Sequence, residues 1–232
     1  MLTSNHILFL LFAYLLGSIP SAVWIGNYFY KIDVREYGSG NAGSTNVFRV
    51  LGKRAGIPVL IIDILKGFAA VSIAYCSEYQ KGSNQFINLQ LVFGMASLVG
   101  HIFPVFASFR GGKGIATLLG IILAVHPLAA VISIGIFVIV LLISKYVSLS
   151  SMIAAVAFPI IVIVVFKTKV PALIIFSILI AILVLITHQK NIERLLRREE
   201  SKANILKKKK VTNETIEEVQ LEEQLEAEAD ID

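Results

Sequence analysis

The stretch "IATLLGIILAVHPLAAVISIGIFVIVLLIS", residues 115–144, decides the fold of this chain. Almost every residue in it is apolar, but His126 and Pro127 stand near the middle. A proline inside a helix removes a backbone donor and breaks or kinks the helix. The stretch therefore forms either one long, kinked helix or two shorter helices that run in opposite directions. The remaining sequence distinguishes these two possibilities.

The composition identifies the class of protein. Hydrophobic residues make up 56% of the 232 residues, and the mean hydropathy is +0.78. Runs such as 57–79, 86–107 and 172–187 carry few charges, and a helix needs about 17–25 such residues to cross a bilayer. The sequence therefore predicts an all-α integral membrane protein and excludes a soluble domain.

The distribution of positive charge predicts the topology. Loop 31–56 and the segment after residue 187 are both rich in lysine and arginine, and such loops stay in the cytoplasm. An even number of spans must lie between them, which requires that 115–144 be split at His126 and Pro127. Seven transmembrane helices follow, with the N-terminus outside and the C-terminus in the cytoplasm. The predicted spans are 6–29, 57–79, 86–107, 115–125, 128–144, 149–166 and 170–187.

The net charge changes sign towards the C-terminus. Residues 1–210 contain all 21 basic side chains but only seven of the 16 acidic ones, whereas residues 211–232 contain no lysine or arginine. A membrane core this basic favours anionic lipid or a phosphorylated substrate over nucleic acid. We expect a seven-span membrane domain over 1–198 and a charged, partly disordered cytoplasmic tail over 199–232.

Four polar clusters fall on the cytoplasmic side of this topology. They are "EYGSGNAGSTNVFRVLGKRAG" at 36–56, "RGGKG" at 110–114, "YVSLSS" at 146–151 and "THQKNIERL" at 187–195. A polar site in a membrane protein needs several such clusters on one face, so we expect the four to converge.

The first cluster has the composition of an anion site. Its glycines disfavour a helix and leave backbone N–H groups free to bind an anion. It ends in Arg49, Lys53 and Arg54, whose charges suit phosphate oxygens. A flexible cytoplasmic loop is the alternative interpretation.

The second cluster also resembles a phosphate loop. Lys113 and its neighbouring glycines precede a helix predicted to begin near Ile115, and a helix N-terminus attracts anions. The Walker A motif is excluded, because Gly114 stands where that motif needs serine or threonine. The alternative is a basic loop that only fixes the topology.

Two further pairs are candidates for function. Asp63 and Lys66 lie three residues apart inside an apolar span and share a helical face. They either act at a site or only pair with each other. His188 and Asn191 project from the same side at the cytoplasmic end of the last span, where His188 is either a site residue or an ordinary helix-end histidine.

Two patterns are missing. A His-x₄-Asp acyltransferase dyad would need aspartate at the fifth position after a histidine, and those positions hold Leu11, Phe106, Val131 and Glu193. The histidines and the single cysteine lack metal-ligand spacing, so we expect no metal site and no cofactor.

Taken in order, several long motifs resemble the bacterial acyl-phosphate:glycerol-3-phosphate acyltransferases. They are "GSIPSAVWIGNYFYKIDVREYGSGNAGSTNVFRVLGKRAG", "DILKG", "GHIFPVFASFRGGKGIATLLG", "KYVSLSS" and "HQKNIERL", within residues 7–198. The resemblance implies seven spans and transfer of a fatty acyl group from acyl phosphate to the sn-1 hydroxyl of glycerol 3-phosphate. The products would be lysophosphatidate and phosphate, without ATP or acyl-CoA.

The resemblance also implies a set of site residues. Those with catalytic roles would be Ser39, Lys113, His188 and Asn191. Those that bind substrate would be Arg49, Asn41, Thr45, Asn46, Gly111, Gly112, Gly114, Ser148 and Ser151. Ser44 stands where the family often has alanine.

These residues suggest a mechanism and a location. Lys113 and the amides of 111–114 would neutralise the acyl phosphate, Arg49 and Ser39 would hold glycerol 3-phosphate, and His188 and Asn191 would orient the reacting groups. The general base is left open between His188, Ser39 and a substrate phosphate oxygen. We expect a multi-pass protein of the bacterial inner membrane whose site faces the cytoplasm, in contact with membrane lipid and with the enzyme that supplies acyl phosphate. The alternatives are a transporter of a phosphorylated solute or lysophospholipid, and a lipid-binding scaffold.

Overall fold

The computed structural model describes residues 4–203, and within them all regular structure is helical, as predicted. Of the segment predicted to be a tail, only 199–203 is described, and 204–232 lies outside the described residues. Short π-helical or 3₁₀ turns extend α2, α4 and α8, and a further 3₁₀ turn precedes α6. The α-helices are α1 (Ser4–Gly17), α2 (Ser21–Ile25), α3 (Ser44–Val50), α4 (Lys53–Ser72), α5 (Asn84–Ile102), α6 (Ile115–Val125), α7 (Pro127–Ser144), α8 (Val147–Ile160), α9 (Pro171–Thr187) and α10 (Gln189–Leu196).

The lengths of the apolar helices are those of a multi-pass membrane protein. Four described segments are long and apolar enough to cross a bilayer, and two bent pairs raise the number to six if each pair is one span. The bent pairs are α1 with the extended α2, and α9 with α10. Helix α6 is apolar but has only 11 residues, which is about 17 Å against a hydrocarbon core of about 30 Å. Seven spans and the orientation of the termini therefore remain predictions.

The break inside 115–144 is confirmed. Helix α6 ends at Val125 and α7 begins at Pro127, which occupies the first helical turn, where its missing N–H costs nothing. The ring of His126 caps the new helix, because its Nδ1 accepts a hydrogen bond of 3.3 Å from the backbone N–H of Ala129. His126 also packs against the ring of Phe166, with 4.4 Å between the ring centroids. The residue pair thus ends one helix and begins the next.

Close backbone contacts fix α6 against α4. A Cβ atom on Gly120 would lie 1.9 Å from the carbonyl oxygen of Ile64, and one on Gly67 would lie 2.2 Å from the carbonyl oxygen of Thr117. Any larger side chain at either glycine would force the two helices apart. Ile121 of α6 is fully buried, so this short helix lies in the interior of the bundle.

The four polar clusters meet at one end of the bundle, as predicted. Arg35 Nη1 donates a hydrogen bond of 2.9 Å to the carbonyl oxygen of Ala107, which ties the loop after α2 to the segment before α6. The N–H of Ala203 donates a hydrogen bond of 2.7 Å to the carbonyl oxygen of Lys145, which ties the end of the described chain to the turn between α7 and α8. The side of the membrane on which this end lies remains a prediction.

Candidate active site

Lys113 lies where the second and fourth polar clusters meet. Its ammonium group donates a hydrogen bond to Oδ1 of Asn191, although the two residues are 78 positions apart in sequence. Lys113 stands two residues before α6, and Asn191 belongs to α10. The bend between α9 and α10 turns Asn191 inward, and its side chain is buried. The structure therefore brings together two of the predicted site residues.

A single carboxylate organises the groups around Asn191. Glu200 Oε1 accepts hydrogen bonds of 2.7 Å from Asn191 Nδ2 and of 2.6 Å from Ser148 Oγ. Its second oxygen accepts a hydrogen bond of 2.7 Å from Arg194 Nε. Each oxygen of the carboxylate thus has a donor, and the third and fourth polar clusters are joined through it.

Sequence reasoning missed Glu200, because it assigned the residue to the charged tail. Glu200 is only 9% exposed, whereas its neighbour Glu199 is exposed. The available signal was a pair of carboxylates directly after a run of basic residues, close in sequence to Asn191. Nothing in that pattern told which carboxylate faces the site.

Burial and neighbouring charges together set the pKa of Lys113. Burial lowers the pKa of Lys113 to about 8, the negative charge of Glu200 opposes this shift, and the positive charges of Arg194 and Arg49 add to it. Burial alone would raise the pKa of Glu200, but the hydrogen bonds from Ser148, Arg194 and Asn191 prevail and hold this pKa below its usual value. At neutral pH the site therefore contains a carboxylate and a protonated lysine that loses its proton more easily than usual.

The ring of His188 has a defined orientation at the end of α9. Its Nδ1 lies 2.8 Å from the carbonyl oxygen of Val184, and a carbonyl oxygen only accepts, so Nδ1 carries a hydrogen. In the neutral imidazole Nε2 is then the atom able to accept a proton. The side chain is buried, and the charge of Lys113 acts on it.

Asn46 organises the first cluster. Its Oδ1 accepts hydrogen bonds from the N–H and the hydroxyl of Ser39, at 2.8 and 3.1 Å. Its Nδ2 donates to the carbonyl oxygens of Val34 and Tyr37, at 2.7 and 3.0 Å. The side chain is 2% exposed, and all of its hydrogen-bonding groups are used within the loop. Asn46 thus holds Ser39 in place, and its own polar atoms are engaged.

The remaining predicted residues of the first cluster lie nearer its surface. Arg49 is exposed beside Gly38, and its positive charge lowers the pKa of Lys113. None of the ion pairs formed within residues 4–203 involves Arg49. Thr45 is exposed and Asn41 is partly exposed. Arg49 is therefore a cation available to an anion that enters between the two loops.

Gly111 and Gly112 do not have the role expected for them, which was to bind an anion through their backbone amides. The N–H groups of Gly111 and Gly112 donate to the carbonyl oxygens of Ile102 and His101, both at 3.2 Å, and are not free to hold an anion. A Cβ atom on Gly111 would lie 2.0 Å from the carbonyl oxygen of His101. These two glycines therefore let the loop lie directly on the end of α5.

The second half of that loop keeps its donors. Gly114 has φ of +81°, in the left-handed region that favours glycine, and this turn starts α6. Among the described residues, no backbone carbonyl accepts a hydrogen bond from the N–H of Lys113 or Gly114. These two amides and the first turn of α6 are therefore the free backbone donors at this point.

The serines of 146–151 separate into two groups. The hydroxyl of Ser148 donates a hydrogen bond to the carboxylate of Glu200. Ser150 and Ser151 donate to backbone carbonyls of their own helix, those of Tyr146 and Val147, at 2.7 and 2.9 Å. Only Ser148 of the two predicted serines thus takes part in the hydrogen-bond network of the site.

Comparisons with known proteins identify a family and a fold. Residues 7–198 match the family model described as glycerol-3-phosphate acyltransferase. A glycerol-3-phosphate acyltransferase of Enterococcus faecalis is 44% identical over 219 residues, which cover 90% of this chain and 98% of that protein. One of Listeria monocytogenes is 46% identical over 201 residues, which cover 87% of this chain and 98% of that protein.

Two solved structures have the same fold. Both are crystal structures of PlsY (YgiH), an integral membrane glycerol 3-phosphate acyltransferase, and both are 36% identical in sequence to this chain. The glycerol 3-phosphate form has a TM-score of 0.77 and covers 88% of this chain and 98% of that one. The lysophosphatidic acid form has a TM-score of 0.74 and covers 86% and 95%.

Proposed function

Because the chain belongs to the glycerol-3-phosphate acyltransferase family, we propose that it moves a fatty acyl group from acyl phosphate to the sn-1 hydroxyl of glycerol 3-phosphate. The products are lysophosphatidate and inorganic phosphate. Glycerol 3-phosphate as acceptor is supported by the names of the relatives, and lysophosphatidate by the bound form of one solved relative. Acyl phosphate as the donor is supported by the motifs within residues 7–198.

One observation carries the proposal: the positive charges of Arg49 and Arg194 both act on Lys113 at the end of the bundle where the loops meet. Both arginine charges lower the pKa of Lys113, and Glu200 is the carboxylate that accepts a hydrogen bond from Arg194. Positive charges repel one another, so binding of an anion beside Lys113 would offset this repulsion. Both substrates are phosphorylated and would supply that negative charge.

The reaction needs positioning more than acid catalysis. The hydroxyl oxygen of glycerol 3-phosphate attacks the acyl carbon, a new C–O ester bond forms, and the bond from that carbon to the phosphate oxygen breaks. The hydroxyl proton passes to a base, and phosphate leaves with the electron pair of the broken bond. Two anions must lie side by side while charge develops on the carbonyl oxygen, and fixed donors stabilise that charge.

The two ends of the site suit the two anions. Lys113, its amide and that of Gly114 at the start of α6 would bind the acyl phosphate. Arg49 and Ser39 would hold glycerol 3-phosphate, and Ser39 Oγ would accept a hydrogen bond from this substrate because its own hydrogen is donated to Asn46. Asn191 accepts a hydrogen bond from Lys113 and would orient this lysine towards the acyl phosphate.

The proton goes to His188 or to a substrate phosphate oxygen. Nδ1 of His188 is occupied by the carbonyl oxygen of Val184, so Nε2 is the basic atom of the neutral ring. Ser39 is the weaker candidate for the base, because its hydroxyl already donates to Asn46. We favour direct attack without an acyl-enzyme, in a site that faces the cytoplasm from the bacterial inner membrane.

Purified enzyme in lipid nanodiscs tests the proposal. With acyl phosphate and labelled glycerol 3-phosphate we expect labelled lysophosphatidate and an equal amount of phosphate, released only when glycerol 3-phosphate is present. Acyl-CoA in place of acyl phosphate should give no product. Transfer from acyl-CoA but not from acyl phosphate would overturn the donor assignment. Uptake of label into proteoliposomes without any product would instead favour a transporter.

A further inference from the structure

A buried polar network lies directly under the two loops of the site. Asp63 and Lys66 of α4, which the sequence left as either site residues or a simple pair, do pair: Lys66 Nζ lies 2.9 Å from Asp63 Oδ1. Their side chains are 2% and 3% exposed. Lys66 also donates to the carbonyl oxygen of Ile19 at 2.8 Å, and Ser21 Oγ donates to Asp63 Oδ1 at 2.7 Å. The pair therefore joins α4 to the corner between α1 and α2.

His101, at the end of α5, connects this pair to the loop that carries Lys113. Its Nδ1 lies 3.1 Å from Thr117 Oγ1 of α6 and 3.7 Å from Asp63 Oδ1. Its carbonyl oxygen accepts the N–H of Gly112 at 3.2 Å. A Cβ atom on Gly112 would lie 2.3 Å from Nε2 of the ring. The ring of His101 is therefore the surface on which Gly112 rests.

The contact between Gly112 and His101 leaves little space in which the 110–114 loop could take another position. Asp63, Lys66, His101, Gly111 and Gly112 line a cavity of about 10 Å³. A site needs roughly 10–15 Å³ of such volume to hold one water molecule. The loop 31–56 also reaches this point, because the carbonyl oxygen of Ala42 lies 3.2 Å from where a Cβ of Gly112 would be.

We propose that His101 is a positioning residue: held by Thr117 and packed beside the pair of Asp63 and Lys66, it fixes the 110–114 loop and so places Lys113 in the site. The inference rests on the proposed function, because the position of Lys113 is read out through acyl transfer. Residues that act through one another show coupled effects, and this property separates a positioning role from a purely structural one.

A mutant cycle between His101→Asn and Lys113→Ala tests the inference. The readout is kcat/KM for glycerol-3-phosphate-dependent phosphate release from acyl phosphate, together with the thermal unfolding of each purified variant. We expect His101→Asn to lower kcat/KM at least tenfold when Lys113 is present and less than twofold when Lys113 is already alanine. His126→Asn, at the break between α6 and α7, is the matched control and should change kcat/KM less than twofold in both backgrounds.

Equal factors in the two backgrounds, or no loss in either, would overturn the inference. If His101→Asn does not accumulate in the membrane, Thr117→Val takes its place in the same cycle, because it keeps the shape of the side chain and removes the hydroxyl. For Thr117→Val too, equal factors in the two backgrounds, or no loss in either, would overturn the inference. A wild-type enzyme without glycerol-3-phosphate-dependent release would overturn the proposed function, and this inference with it. Normal wild-type release with equal factors would overturn the inference alone.

Discussion

Lys113 and Asn191 share a hydrogen bond that joins the loop before α6 to the short helix after α9. The contact places a cation, an amide and the carboxylate of Glu200 in one row, since Asn191 donates in turn to Glu200 at 2.7 Å. An amide in this position orients the lysine without neutralising it. The ammonium therefore keeps its charge for a substrate, and its loss should be the most damaging single change in the site.

Replacing Lys113 by alanine should lower kcat/KM about a hundredfold, which is the effect of removing one donor that stabilises developing charge, about 3 kcal/mol. The measurement is the rate of labelled lysophosphatidate formation at limiting substrate. Lys169→Ala is the matched control, because Lys169 is exposed in the turn before α9, at the opposite end of the bundle. Near-normal turnover of Lys113→Ala would exclude Lys113 from the reaction.

The activity should fall in mildly alkaline solution. Burial lowers the pKa of Lys113 to about 8, and the lysine is charged below this value. If the ammonium form binds phosphate, kcat/KM should be level below pH 8 and fall about tenfold per pH unit above it. Lys113→Arg should lack this fall, since a guanidinium keeps its proton at these pH values. An unchanged alkaline limb in Lys113→Arg would assign the titration to another group.

Glu200→Gln should damage both the stability and the activity of the enzyme. Glutamine has no charge and only one acceptor oxygen, so it cannot replace all of the charge-assisted hydrogen bonds that Arg194, Asn191 and Ser148 give to the carboxylate, each typically worth about 1.5–3 kcal/mol. We expect a lower thermal midpoint and at least tenfold lower kcat. Glu199→Gln is the control, because that side chain is exposed.

The same variant also tests the charge on Lys113. Glu200 raises the pKa of Lys113, so its neutralisation should move the alkaline fall in activity to lower pH. A fall at the wild-type pH would show that the two charges do not interact in the working enzyme.

Gly112→Ala should displace the loop that holds Lys113. The added Cβ would lie 2.3 Å from Nε2 of His101, so the loop or the ring has to move. A displacement of about 1 Å costs up to a hundredfold in rate, and we expect a tenfold to hundredfold loss of kcat/KM. Gly135→Ala in α7 is the control, because nothing lies within 4 Å of its added Cβ, and it should be neutral. Equal activity of the two variants would contradict the close packing of the loop.

Ser39→Ala should reduce kcat/KM more than Ser44→Ala. Ser39 is held by Asn46 within the first cluster, whereas Ser44 is the first residue of α3. We expect about a tenfold loss for Ser39 and less than twofold for Ser44. Mass spectrometry of wild-type enzyme incubated with acyl phosphate should show an unmodified Ser39. A stable acyl adduct on Ser39 would replace direct attack by a two-step route.

Sequence alone predicted the parts of the structure that depend on hydrophobicity and on the distribution of charge along the chain. The stretch 115–144 divides at His126 and Pro127, as the distribution of basic loops required, whereas Pro58 and Pro159 lie inside α4 and α8 without ending them. The four polar clusters meet because the apolar segments between them reverse direction. The contact of Lys113 with Asn191 follows from that convergence.

Other features required the packing of distant residues. The glycines at 111 and 112 read as an anion cradle, but their amides bond to the end of α5, which no local pattern indicates. Glu200 faces inward and Glu199 outward because of the direction in which the chain leaves α10. The part played by His101 depends on helices α4, α5 and α6 meeting at one point. Such facts belong to the tertiary arrangement.

The close approach of α4 and α6 has a consequence for how this enzyme can diverge. Gly120 and Gly67 set the separation of these helices by contact between main chains, so the reaction geometry does not depend on the bulky side chains that face lipid. Most of α7, for instance, is turned away from the interior. Substitutions at those outward positions should leave the spacing of α4 and α6 unchanged, whereas a side chain at either glycine would separate the two helices.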